Sequence, residues 1–154
     1  MPDDELNAGR AVATAGPWLG TVRRLRPADA VSASFQGFAP AWRPGSVALG
    51  YFLGGQLRGV AHLVPLGGAT QGRAEMRVAV HERWRRCGIG TLLMNALLRQ
   101  ARELRIDDVH LRCHALNQPM QILAERFGAE IGFEDCQAYG RIRLAASECV
   151  SAAR

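Results

Sequence analysis

The sequence predicts an α+β domain, a mixed and mostly antiparallel sheet of six to seven strands flanked by helices. Three observations carry this. Two apolar runs meet at Gly54-Gly55, a hairpin signal, because paired glycines adopt the positive φ angles that tight hairpin turns require. The stretch from Arg73 to Leu104 changes from period-2 alternation to helical spacing across a short glycine-containing turn, which reads as strand, turn and long helix. An alternating strand, a capped helix and a closing hairpin follow. Strands in series, then a crossover helix and a further strand, give a sheet of mixed direction.

Taken in order, residues 1–20 carry Asp, Gly, Ala and Pro without a period and are expected to form a mobile tail. Thr21 to Leu25 is a short strand. Arg26-Pro27-Ala28-Asp29 starts a helix, with Pro27 in its first turn, and Gly37, Pro40 and Pro44 stop it early. Ser46–Leu53 and Gln56–Val64 are the hairpin strands. In Ala74–Val80, Met76, Val78 and Val80 alternate with Glu75, Arg77 and Ala79. The long helix begins near Gly88, and Leu93, Ala96, Leu97, Ala101 and Leu104 form its apolar stripe. Val109–His114 is the next strand. The helix from Asn117 to Phe127 has an N-cap asparagine, Pro119 in its first turn and Gly128 as its stop; Met120, Leu123, Ala124 and Phe127 are its expected buried face. Ile131–Glu134 and Ala138–Leu144 close the sheet, and residues 145–154 are expected to fray.

A chain of 154 residues fits one domain, here residues 21–144. With 48% hydrophobic residues it can bury a core. No apolar run reaches the ~18 residues of a membrane span, and Ala11–Gly20 follows acidic residues and does not read as a signal peptide. Cys87, Cys113, Cys136 and Cys149 form no close pair, so free thiols in a reducing cytoplasm are expected. The net charge is +5, and all 19 basic residues are arginine. That balance favours an anionic partner, nucleic acid or a phosphorylated cofactor, unless it only reflects a GC-rich genome. The aromatic fraction is 6% and no basic stretch is interleaved with aromatics, which argues against nucleic acid. No His/Cys/Asp cluster has metal-ligand spacing, so no metal is expected.

Between strand and long helix lies Arg85-Arg86-Cys87-Gly88-Ile89-Gly90-Thr91. A helix N-terminus offers unpaired N–H groups and a positive dipole end. Glycines let an anion approach the backbone, and adjacent arginines add charge-assisted bonds. The turn reads as a pyrophosphate cradle; alternatively, Gly88 and Gly90 only allow close packing where strand meets helix. It is not a P-loop, and it lacks the third glycine of a dinucleotide fingerprint.

The arrangement Arg85-x-x-Gly88-x-Gly90 after a strand, Leu92-Leu93 in the first helical turn, and a second strand leading to Asn117 resembles the GNAT superfamily of acetyl-CoA-dependent N-acyltransferases. The resemblance is specific from about Ala74 to Gly128 and looser from Thr21 to Leu66. It implies the GNAT fold and acetyl-CoA as co-substrate, its pyrophosphate held by residues 85–91. It also implies that backbone N–H groups of Val78, Ala79 and Val80 face the pantetheine and the thioester carbonyl; as apolar strand residues they are equally sheet core. Asn117 resembles the asparagine that bonds the pantetheine arm, and helix capping explains it as well.

The implied reaction moves an acyl group from the thioester to an amine by direct attack. The amine must lose a proton, the carbonyl must be polarised and the thiolate must leave. Ala74-Glu75 resembles the Ala-Glu of the protein-lysine branch, including Pat-like enzymes, in which the glutamate is the base. A carboxylate among Val, Met and Leu would retain a proton more readily, which suits the role; a solvated Glu75 paired with Arg73 or Arg77 is the plain alternative. Ala124 stands where the family pattern has the tyrosine that protonates the leaving sulfur, and Tyr139 is the nearest substitute. His110 and His114 share a strand face. The acceptor is an amine, on a protein lysine or a small molecule. The rival reading is a non-catalytic acyl-CoA-binding regulatory or interaction module.

Overall fold

A computed structural model describes residues 20–26, 29, 44–67 and 72–144. Residues 1–19 and 145–154 of the expected tails, and 27–28 and 30–43 of the region where the helix from Arg26-Pro27 was expected, fall outside the described residues. The strands are β1 (Thr21–Arg24), β2 (Val47–Leu53), β3 (Gln56–Pro65), β4 (Arg73–Val80), β5 (Asp108–His114), β6 (Glu130–Glu134) and β7 (Gln137–Arg143). The helices are α1 (Ile89–Glu103) and α2 (Gln118–Arg126), and a 3-10 turn spans Glu82–Trp84. One seven-stranded sheet has the order β1-β2-β3-β4-β5-β7-β6. β4 and β5 run parallel, while β1/β2, β5/β7 and β6/β7 are antiparallel. The mixed sheet expected from the sequence is therefore present. No described helix is long and apolar enough to cross a membrane.

The described residues form two compact units, drawn from Met1–His62 with Val78–Arg99 and from Leu63–Arg77 with Gln100–Arg154. In the first, Gly54 and Gly55 both have positive φ, 61° and 77°, as a two-residue hairpin turn requires. Gly59 of β3 is a point of close approach to α1. A Cβ there would sit 2.8 Å from both Ile89 Cγ2 and Leu93 Cδ1. The helix thus presses onto bare backbone at its first turn, and the buried stripe Ile89, Leu93, Met94 and Leu97 keeps it there.

In the second unit, α1 ends by a mechanism the periodicity did not show. Arg105 has φ 59°, Ile106 N donates to Ala101 O at 2.9 Å and Arg105 N to Arg102 O at 3.0 Å. This is a Schellman closure with arginine in the place usually taken by glycine. It turns Leu104, expected on the apolar stripe, out to 42% exposure and buries Ile106 instead. The buried face of α2 also differs: Ala124 and Gln121 are buried, whereas Met120, Leu123 and Phe127 are only half-buried. Gln121 is accommodated because its Nε2 donates to Ala115 O at 2.9 Å.

Arg141 grips Asp108 with two bonds, Nε to Oδ1 and Nη2 to Oδ2, each 2.8 Å. The guanidinium fork holds the Asp108 carboxyl below the ordinary aspartate range, against the opposing effect of burial. A carboxyl whose folded value is depressed contributes stability that is complete above the unfolded value, about 3.9. That contribution is lost as pH falls through the folded value. The expected result is a melting temperature that drops as pH is lowered below about 4, with a flatter profile for Asp108→Asn. Thermal melts in small pH steps measure it.

Candidate functional site

In the first unit the chain leaves β4 at Val80 and makes two tight reversals before α1. His81 Nδ1 accepts from Arg83 N at 3.2 Å, and Trp84 N donates to His81 O at 2.8 Å. The Arg58 guanidinium of β3 lies 4.9 Å from the Trp84 ring centroid, fixing the 3-10 turn to the sheet by a cation–π contact. Arg85 then folds back, its Nε donating to Val80 O at 3.2 Å. The two Nη groups of Arg85 extend from a guanidinium anchored at one nitrogen. Cys87 is half-buried, with Sγ 3.6 Å from Arg85 O.

Arg86 has φ 62° and Gly88 has φ 82°. Left-handed residues in a turn orient successive N–H groups toward one side, the kind of concavity that holds anions. Leu92 N donates to Gly88 O at 3.1 Å, the first helical bond of α1. The N–H groups of Ile89, Gly90 and Thr91 precede that bond, and the helix itself cannot use them. With Arg85, Arg86 and Gly88 exposed, the turn brings the expected cradle residues together.

The close-packing alternative fails for Gly88. A Cβ there would meet nothing within 4 Å, so no protein atom requires its absence. What favours glycine there is the positive φ. Close packing does operate nearby, at Gly59 on β3, a residue that no local pattern singles out. The Arg58–Trp84 contact is equally hidden in the sequence, because a lone Arg and a lone Trp 26 positions apart carry no pattern.

Val78, Ala79 and Val80 are half-buried at the end of β4. The parallel ladder with β5 pairs Arg73–Met76 with Asp108–Leu111, and these three residues lie beyond it. Glu75 belongs to the second unit. Its neighbours differ from the apolar surround expected: on its face of β4 stand Arg73 and Arg77, both exposed, while Ala74 and Met76 are buried on the other face. Alternation along the strand is the reason. The Arg77 Nε to Glu75 Oε1 distance is 3.7 Å, with side chains 49% and 34% exposed. An ion pair that long and that exposed holds the carboxylate weakly.

Asn117 caps α2, its Oδ1 accepting from Met120 N at 3.3 Å. Ala124 is fully buried and Tyr139 is 42% exposed on β7. The two histidines on one face of β5 differ. His114 Nδ1 accepts from Leu116 N at 3.1 Å, a structural use. His110 Nε2 is buried without a hydrogen bond. Among the described residues no group of three or more His, Cys, Asp and Glu is placed to hold a metal.

The sequence profile of the acetyltransferase (GNAT) family matches residues 21–129. Among solved structures, the GNAT domain of S. lividans PAT is similar at 20% identity over 64% of this chain, TM-score 0.60. A ribosomal-protein-alanine N-acetyltransferase from Brucella melitensis is similar at 23% identity over 66% of the chain, TM-score 0.58. The paia N-acetyltransferase from Thermoplasma acidophilum, in complex with coenzyme A, is similar at 17% identity over 64%, TM-score 0.57. The matches span 61%, 70% and 60% of those three chains. At these identities the likeness establishes the fold.

Proposed function

This chain belongs to the acetyltransferase (GNAT) family, and from that premise we propose that it transfers an acetyl group from acetyl-CoA to an amine by direct attack in a ternary complex. The observation that carries the reading is the turn before α1. Left-handed Arg86 and Gly88, open space at Gly88, two exposed arginines and the first N–H groups of a fifteen-residue helix suit a diphosphate. A similar N-acetyltransferase was solved with coenzyme A, and a similar protein described as an acetyltransferase was solved with acetyl-CoA. When bound, acetyl-CoA supplies the activated thioester.

The chain's own groups would do the rest. Residues 85–91 grip the diphosphate. Backbone N–H groups of Val78, Ala79 and Val80 orient the pantetheine and polarise the carbonyl, and Asn117 steadies the pantetheine arm. Glu75 removes the ammonium proton, because the amine needs a free lone pair to attack. No tyrosine stands at Ala124, so the thiolate departs with help from water and N–H donors; a thiol with pKa near 8.5 is a tolerable leaving group. The acceptor is a lysine side chain or a small amine, and the free Cys87, Cys113 and Cys136 fit a reducing cytoplasm.

The test joins a thermal shift with acetyl-CoA to release of free thiol on a panel: a lysine peptide, an N-terminal alanine peptide and a polyamine. Binding with thiol release is expected. Binding without release on any amine favours the non-catalytic acyl-CoA-binding module, and no binding removes both readings. A second expectation concerns the Arg58–Trp84 contact. Trp84→Ala should weaken acetyl-CoA about two- to fivefold, the worth of an exposed cation–π contact of ~0.5–1 kcal/mol. Fluorescence or calorimetric titration checks it.

A further inference from the structure

A histidine on the sheet face that carries Glu75 has a ring nitrogen left without a hydrogen bond. Glu75 of β4 and His110 of β5 are register partners in a parallel ladder. Directly paired residues on neighbouring strands are about 4.8 Å apart and point to the same face. His110 Nε2 is buried and makes no hydrogen bond; Asp108 Oδ2 lies 3.4 Å from it. Asp108 cannot swing away, because the Arg141 fork holds both its oxygens at 2.8 Å and its side chain is only 13% exposed.

We propose that His110, backed by Asp108, is the positioning residue that receives the acceptor's proton from Glu75. This role rests on the reading of Glu75 as base. The acceptor ammonium gives its proton to the Glu75 carboxylate. The resulting carboxyl O–H passes that proton, through a bridging water, to Nδ1 of His110, the nitrogen turned away from Asp108, and Glu75 returns to carboxylate. The imidazolium then has two N–H donors, and the Asp108 carboxylate already beside Nε2 offsets its charge. The ring, 32% exposed, releases the proton to solvent. Among the described residues, the titratable and charged groups on this sheet face at or beside the His110 register are Arg73, Glu75 and Arg77 of β4, Asp108 and Arg112 of β5, Tyr139, Arg141 and Arg143 of β7, and Glu130 of β6 beyond Arg141. Arg141 is committed to Asp108, which leaves the His110–Asp108 pair to take up the proton.

The test is steady-state kinetics of the full chain with acetyl-CoA and whichever amine of the panel turns over best. His110→Gln is expected to lower kcat about tenfold or more, with KM for acetyl-CoA unchanged. On the acid side, the slope of log kcat/KM against pH should fall by one, because one fewer group must be deprotonated. Glu75→Gln/His110→Gln should lose no more than Glu75→Gln alone, as expected of residues acting in series. If His110→Gln misfolds, His110→Ala with added imidazole replaces it, and rescue of kcat by imidazole is expected. Unchanged kcat and slope in a folded His110→Gln, beside an inactive Glu75→Gln, overturn the relay and leave Glu75 standing. Full turnover by Glu75→Gln overturns the base and the relay together. No thiol release by the unsubstituted protein on any amine overturns the acyl-transfer reading itself.

Discussion

Glu75→Gln is expected to lower kcat/KM for the acceptor amine by about a hundredfold or more at neutral pH, the usual worth of a positioned general base. Acetyl-CoA should bind the variant as it binds the parent. The substitution keeps shape and removes only the charge and the basic lone pair. Its structural cost should be small, because Glu75 gives up only a 3.7 Å approach to an exposed Arg77, and such pairs contribute ~0–1 kcal/mol. The two interpretations of Glu75 therefore separate sharply. As a base it controls the chemical step and nothing else. As a salt-bridge partner it controls almost nothing. A loss below about threefold, ~0.7 kcal/mol of barrier, would remove it from the mechanism.

The second large effect is expected at Gly88. Its φ of 82° restricts replacements to residues that tolerate the left-handed region, chiefly Asn and Asp. Since a Cβ meets nothing within 4 Å there, both fit without repacking, and they are nearly the same size. Gly88→Asn should weaken coenzyme A modestly. Gly88→Asp places a negative charge beside the proposed diphosphate. At roughly 5 Å and an effective dielectric near 20, that repulsion is about 3 kcal/mol, roughly a hundredfold in affinity. Titration of coenzyme A into both variants at fixed ionic strength measures the difference, which should shrink as salt is raised. Equal affinities would show that no anion sits at this turn.

Much of this architecture could be read from residue order because local rules and the fold agree. Gly54-Gly55 forced a hairpin, Asn117 and Gly128 bracketed a helix, and alternation set the faces of β4 and β5. What stayed hidden depends on long-range contacts or on a residue doing another's work. Leu104 fits the helical stripe, yet Arg105 takes the left-handed position that closes the helix one residue earlier in effect, and Ile106 is buried instead. Nothing in the local sequence marks an arginine for that role. Glu75 sits between Ala74 and Met76 in sequence, which suggested apolar surroundings. In the fold its face-mates are Arg73, Arg77 and the register partner His110. The candidate turn was legible because it is built from seven consecutive residues. Its two supports were not, since Gly59 and the Arg58–Trp84 contact join it from β3.

Everything proposed for the chemistry requires that the first turn of α1 take hold of a diphosphate. Isothermal titration of the folded protein with coenzyme A, and separately with pantetheine, which lacks both diphosphate and nucleotide, tests this most directly. The expected result is saturable one-to-one binding of coenzyme A and far weaker binding of pantetheine. Absence of heat with coenzyme A, or equal affinity for the two, would contradict a diphosphate grip at this turn.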